Sequence, residues 1–240
     1  MEACGARRIE ARRSIIPACD VTTLEDLAAI VRATADLEGI GGYKIGFSLA
    51  LRFGLRAVVA EIRRIAPLPL IYDHQKAGTD VPDTGRLYAR TCKACGVDYV
   101  ILFPQAGLRT QAAWTEALLS EGLYPVIGGL MTHEGYLADE GGHIAFPSVL
   151  RIYEEAARAG VRDFVIPATR PDRMGEILSA IERHCPDPVL FSPGFIAQGG
   201  RWAPLAEAAG GRRLHAIVGR AIYRAEDMRR AAAELIAGLG

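Results

Sequence analysis

The chain has 240 residues, of which 50% are hydrophobic and 23% charged, and this excludes a disordered chain, a collagen and a disulfide-stapled miniprotein. Its 28 Lys and Arg balance its 28 Asp and Glu, so net charge gives no reason to expect a nucleic-acid partner. The apolar runs are strand-sized and broken by charge, Gly or Pro, which predicts no membrane span, and the opening MEACGARRIEARRSII lacks an apolar core of signal-peptide length, so a cytoplasmic protein is expected.

Short β-rich runs alternate with longer amphipathic ones. In chain order the pattern predicts strand 14–19, helix 24–37, strand 42–46, helix 51–65, strand 68–73, helix 83–94, strand 99–103 and helix 109–120. It continues with strand 124–128, helix 147–159, strand 163–166, helix 173–184, strand 189–192, helix 204–209, strand 216–218 and helix 225–239. Thr22-Thr23-Leu24-Glu25 reads as a helix cap with an acid in the first turn. Gly96 and Gly160 each follow a helical run, the usual place for a left-handed terminal residue.

Eight strand–helix pairs with no linker and no low-complexity tract predict a single (β/α)8 TIM barrel over residues 1–240, with residues 1–13 as a short N-terminal extension. An open doubly wound sheet would carry G-x-G-x-x-G after its first strand, where this chain has Cys19-Asp20-Val21. The five cysteines, at 4, 19, 92, 95 and 185, form an odd, dispersed set that suits a reducing compartment. Cys92 and Cys95 lack the second pair that zinc would need and read as helix cysteines of the core.

A barrel of this kind builds its active site at the C-terminal ends of its strands. The residues that end strands are Asp20, Lys44, Asp73 with its following loop, Met131-Thr132-His133, Ser192-Pro193-Gly194 and Gly219-Arg220. In Asp73-His-Gln-Lys76-Ala-Gly-Thr-Asp80 a lysine lies between two acids, which hold it protonated and suit it to donate a proton rather than attack as an amine. The same pattern also arises in solvated, ion-paired loops. After strands seven and eight come Ser192-Pro-Gly-Phe-Ile-Ala-Gln198-Gly199-Gly200 and Val218-Gly-Arg220-Ala-Ile-Tyr223, where barrels of this type commonly hold a phosphate against glycine backbone and arginine.

These motifs resemble the orotidine 5′-phosphate decarboxylase family nearly end to end. The family carries D-x-K-x-x-D-I-P-x-T after strand three, a hydroxyl-bearing loop after strand five, S-P-G-x-x-x-Q-G-G after strand seven and V-G-R-x-I-Y after strand eight. Asp20 and Lys44 match its strand-one Asp and its strand-two Lys in Y-K-I-G, and Thr132 falls where it sets a hydroxyl against the pyrimidine. One departure stands out: the family spaces its acid, lysine and acid by two and three residues, whereas here Asp73, Lys76 and Asp80 are three and four apart. The extra residues must be absorbed by a bulge or a wider loop.

The resemblance implies decarboxylation of orotidine 5′-phosphate to UMP, the last step of pyrimidine synthesis, with no cofactor and no metal. It implies catalytic roles for Lys76 as proton donor, Asp73 beside the substrate carboxylate, Asp80 reaching across a homodimer interface, and Lys44 in the lysine network. Substrate binding would involve Asp20 and Lys44 at the ribose, Thr84, Thr132, Ser192, Pro193 and Gly194, with Gln198, Gly199, Gly200, Gly219 and Arg220 around the phosphate. The alternatives are a Mg²⁺-dependent sister enzyme acting on a sugar phosphate, such as 3-keto-gulonate-phosphate decarboxylase or hexulose-phosphate synthase, and a non-catalytic nucleotide-binding paralogue. His74, inside the key loop, is a candidate substrate contact. His143, His184 and His215 read as surface or cap residues, and Trp114 and Trp202 as packing residues.

Overall fold

The computed structural model describes residues 6–167, 169–193, 207 and 209–239, apart from the side chains of Gln75 and Lys76. The elements run β1 (Arg13–Cys19), α1 (Leu24–Thr34), β2 (Tyr43–Ile45), α2 (Phe47–Phe53), α3 (Leu55–Arg63), β3 (Leu70–Ala77), α4 (Thr84–Cys95), β4 (Tyr99–Leu102) and α5 (Leu108–Ser120). They continue with β5 (Tyr124–Gly128), α6 (Phe146–Arg158), β6 (Asp163–Val165), α7 (Pro171–Glu182), β7 (Val189–Pro193), β8 (Arg213–Val218), α8 (Arg220–Tyr223) and α9 (Met228–Ala237). The eight strands pair in sequence order, all parallel, and β8 closes on β1. The chain is therefore a closed (β/α)8 barrel.

Both faces of each strand are buried, which is why the strands read as near-continuous apolar runs. Ile16, Ile71, Tyr99, Ile101, Val126, Val165 and Phe191 fill the barrel. Ile15, Tyr43, Ile45, Leu70, Val100, Ile127, Phe164 and Leu190 pack outward under the helices. Thr23 caps α1 by accepting from the Asp26 N–H at 3.1 Å. Gly96 and Gly160 end their helices at φ of +88° and +86°. Cys92 is buried on α4, and Cys95 is half-buried at its end. Among the described residues no helix is long and apolar enough to cross a membrane.

The expected helix 51–65 is instead two helices. Gly54 ends α2 and begins α3 at φ +80°, a left-handed conformation that breaks the run and that glycine adopts without steric cost. The last helix begins later than its pattern because Asp227 caps it, accepting from the Arg230 N–H at 2.9 Å. The expected helix 204–209 lies mostly outside the described residues. β3 runs on past Asp73 to Ala77, and β8 begins already at Arg213.

The longer β8 overturns the expectation for His215. It sits inside the barrel, fully buried, with its ring 5.0 Å from that of Phe191 and its Nδ1 2.8 Å from Ser14 Oγ. Burial, helped by Arg8 and Arg213, pushes its pKa down to about 3, so the ring is neutral.

Residues ahead of β1 close the N-terminal end of the barrel. Ile9 is buried there, and its N–H donates to Tyr99 Oη at 2.9 Å. Arg8 grips Asp163 with two hydrogen bonds, at 2.8 and 3.0 Å, and lies over the Tyr124 ring at 4.7 Å. Burial pushes the Asp163 carboxyl up to about 6 although Arg8 opposes it. Asp98 accepts from the backbone N–H groups of Arg7 and Leu70 at 2.7 and 2.8 Å and from Arg63 at 2.6 Å.

Candidate active site

At the opposite end the strand termini gather charge. Asp20 follows β1, and Lys44 and Asp73 lie on β2 and β3. Lys44 Nζ is 3.0 Å from Asp20 Oδ1 and 3.6 Å from Asp73 Oδ2. Lys44 and Asp73 are 8% and 5% exposed, whereas the Asp20 side chain is 47% exposed. Asp20 is therefore the member of the trio open to a ligand. Burial disfavours the ammonium of Lys44, but Asp20 and Asp73 outweigh it and hold its pKa above the ordinary value. Gly46 lies beside them, and a Cβ there would stand 2.6 Å from Asp20 Oδ1 and displace that carboxylate.

The bulge that the widened motif demands is present. On β3 Tyr72 pairs with Val100 of β4, and the next pair is Ala77 with Leu102, so five steps on one strand face two on the other. Asp73 faces inward to Lys44, yet Ala77 packs outward in the helix layer. Residues four apart on a regular strand share a face, so the bulge reverses the phase of the strand. Lys76 lies on this bulge, and its side chain is outside the described residues.

His74 does not face the trio. It is exposed on the outer side of β3, hydrogen-bonded through Nδ1 to Tyr72 Oη and edge-on to Tyr88 of α4 at 6.3 Å. Asp80 is also exposed. Its carboxylate accepts from the Val81 N–H at 2.7 Å, and no hydrogen bond or ion pair among the described residues links it to the trio. The hydroxyl of Thr84 donates to the Val81 carbonyl at 2.8 Å and so serves the start of α4.

Thr132 is half-buried in the loop after β5, and its carbonyl accepts from Thr169 Oγ1 at 3.4 Å. Ser192 pairs with Ala216, an outward residue, so its hydroxyl faces the helix layer; it is buried there with no hydrogen-bond partner among the described residues. Pro193 pairs with the inward Ile217. Gly194, Gln198, Gly199 and Gly200 lie outside the described residues, as does Trp202. Gly219 precedes α8, and Arg220 is exposed, its guanidinium making no ion pair or hydrogen bond among the described residues.

Three side chains at this mouth had no motif to announce them. Gln105, after β4, donates to Tyr136 Oη at 2.7 Å, and Tyr136 in turn donates to the Gly129 carbonyl at 2.7 Å. Arg170, after β6, holds Glu140 of the β5–α6 loop. Their only sequence signal was a place shortly after a strand. Among the described residues no group of three or more His, Cys, Asp or Glu could hold a metal ion.

A closed (β/α)8 barrel with a buried lysine between acids at its C-terminal mouth, and an exposed arginine after its last strand, has the layout in which barrel enzymes of this fold build their active sites. The model of the orotidine 5′-phosphate decarboxylase / HUMPS family matches residues 13–235, and the chain belongs to that family. It is 31% identical to the orotidine 5′-phosphate decarboxylase of Methanosarcina mazei, over 95% of each chain. It is 32% identical to that of Methanosarcina barkeri, over 95% of this chain and 96% of the relative. The fold is shared with orotidine 5′-monophosphate decarboxylase of Methanocaldococcus jannaschii in complex with the inhibitor BMP, at a TM-score of 0.81 and 24% identity over 95% of this chain and 99% of the other.

Proposed function

We propose that this chain is a carboxy-lyase that converts orotidine 5′-phosphate to UMP, with Lys76 as the proton donor. The reading is carried by the Asp20–Lys44–Asp73 network at the mouth of a barrel whose curated relatives are orotidine 5′-phosphate decarboxylases. When CO₂ leaves, the electron pair of the broken bond stays on the pyrimidine ring carbon. An ammonium fixed beside that carbon stabilises the pair and then protonates it. Lys44, buried between two acids, is held charged and supplies field rather than a proton. Asp73 lies at the substrate carboxylate, Asp20 takes ribose hydroxyls, Thr132 faces the pyrimidine, and Gln198 and Arg220 take the phosphate. Binding energy from that remote phosphate assists the chemistry at the ring.

The active unit in this reading is a homodimer, with Asp80 of each subunit completing the other's site. Support comes from apolar side chains left exposed: Val81 beside Asp80, Leu87 on α4, and Phe47 and Leu51 on α2, a helix that packs against β3. Such apolar surface suits a second copy better than water.

The test is the ultraviolet change of orotidine 5′-phosphate with purified protein in EDTA. Turnover is expected. Turnover only after Mg²⁺ is restored would favour the sugar-phosphate sister enzymes, and UMP binding without turnover would favour a binding protein. Mixed Lys76→Ala and Asp80→Ala subunits should regain part of the activity, and continued inactivity after verified exchange would show unshared sites.

A further inference from the structure

The outer face of β3 carries an aromatic series that leads from one acid of the key loop to the other. Tyr72 Oη bonds His74 Nδ1, the His74 ring stands edge-on to Tyr88 at 6.3 Å, and Tyr88 lies 4.9 Å from Trp114 of α5. Trp114 Nε1 then donates to the Val81 carbonyl at 3.0 Å. One turn earlier on α5, Thr110 Oγ1 donates to the Asp80 carbonyl at 2.8 Å. Gly85 leaves room for the indole, because a Cβ there would lie 2.6 Å from Trp114 Cδ1.

His74 directly follows Asp73, and Val81 directly follows Asp80. The segment between them is the bulge that reverses the phase of β3. A bulged strand has lost the ladder hydrogen bonds that would otherwise fix it. Backbone pairing resumes only at Ala77, which pairs with Leu102 and accepts from the Phe103 N–H at 2.7 Å, so the stretch before it leans more on side chains, and these rings with the two hydrogen bonds from α5 pack on its outer side. The rings are rigid and span the distance between the two ends with few rotatable bonds.

We infer that His74 and Trp114 are positioning residues for the reaction: packed through Tyr88, they hold the two ends of the Asp73–Asp80 loop at a fixed separation. His74 thus acts on the site from behind the strand, without touching substrate. This inference rests on the proposed function only for its kinetic readout. The indole N–H and the ring stacking are separable, since Trp114→Phe removes the first and keeps an aromatic ring. His74→Asn keeps a hydrogen-bonding atom near the place of Nδ1, and His74→Ala removes both ring and bond.

The experiment measures kcat and UMP affinity for His74→Ala, His74→Asn, Trp114→Phe and the double variant His74→Ala/Trp114→Phe. Each of His74→Ala and Trp114→Phe should lower kcat about tenfold while UMP affinity shifts by less than about threefold, a split that general loss of folded protein would not produce. His74→Asn should recover most of kcat. The double variant should lose less than the product of the single losses, since the two residues serve one buttress. Hydrogen exchange of the amides from 78 to 84 needs no turnover and should speed up in both single variants. If wild-type protein turns nothing over, the proposed function fails while the exchange measurement still judges the buttress. Unchanged exchange, or near-wild-type kcat in both single variants beside an inactive Lys76→Ala, would overturn the inference.

Discussion

At the N-terminal end of the barrel Arg8 and Asp163 form a two-point ion pair roofed by tyrosine rings, and Asp98 accepts from Arg7, Leu70 and Arg63. At the C-terminal end Lys44 is shared unequally between Asp20 and Asp73, Asp20 stays open to solvent, and Arg220 has no partner among the described residues. Both ends hold buried charge of both signs. The difference is completion: the first end is covered by residues ahead of β1, whereas at the second, among the described residues, Asp20 and Arg220 stay exposed. Satisfied charge of the first kind stabilises, and exposed charge of the second kind is what the proposed function uses for binding.

The largest effect that would test this contrast is on turnover. Lys76→Ala should lower kcat by roughly 10³-fold or more while UMP still binds, as for the loss of a proton donor and its charge. If Lys76→Ala keeps its turnover and Lys44→Ala loses it, the donor is the buried lysine instead. Next, Arg220→Ala should cost about 2–5 kcal/mol in kcat/KM for the phosphorylated substrate and much less for orotidine. Equal losses on both substrates would make Arg220 structural.

The closed end should respond in stability and not in turnover. Arg8→Ala leaves Asp163 buried without its partner and should cost about 3 kcal/mol in denaturant unfolding, with kcat kept where the protein is folded. A fall in kcat without a fall in stability would join the two ends functionally. The most gradual effect, spread over several pH units, is the acid arm of His215. Its pKa is about 3 in the fold against an ordinary 6.5, so between those values the unfolded chain binds the extra proton. Stability from this residue is complete above pH 6.5 and is lost as pH falls toward 3, by up to about 1.4 kcal/mol per pH unit. His215→Gln should flatten that arm of the unfolding curve, and an unchanged slope would show the proton going elsewhere.

The open end was the more legible of the two in the sequence. Asp20, Lys44 and Asp73 stood at strand ends, and a strand end is readable because apolar period and turn residues mark it. The closed end was not. Nothing local marks Arg8 as the partner of Asp163, which lies 155 residues away. His215 was misjudged because β8 begins three residues before its apolar run. The face that His74 takes stays open in the sequence, which shows two added residues without showing how the strand turns around them.

The sequence by itself determined the number of strands, their alternation with helices, the closed barrel that follows from it, and the chemistry at the strand ends. These depend on local period, caps and residue type, all carried by neighbours along the chain. Only the tertiary structure decided which face each charged residue took, since barrel closure sets the register between strands and a one-residue shift exchanges inside for outside. It placed Lys44 between Asp20 and Asp73, turned His74 outward onto Tyr72 and Tyr88, and sealed His215 within the barrel. Those outcomes rest on barrel closure and on the packing of strands against helices, which no local pattern encodes.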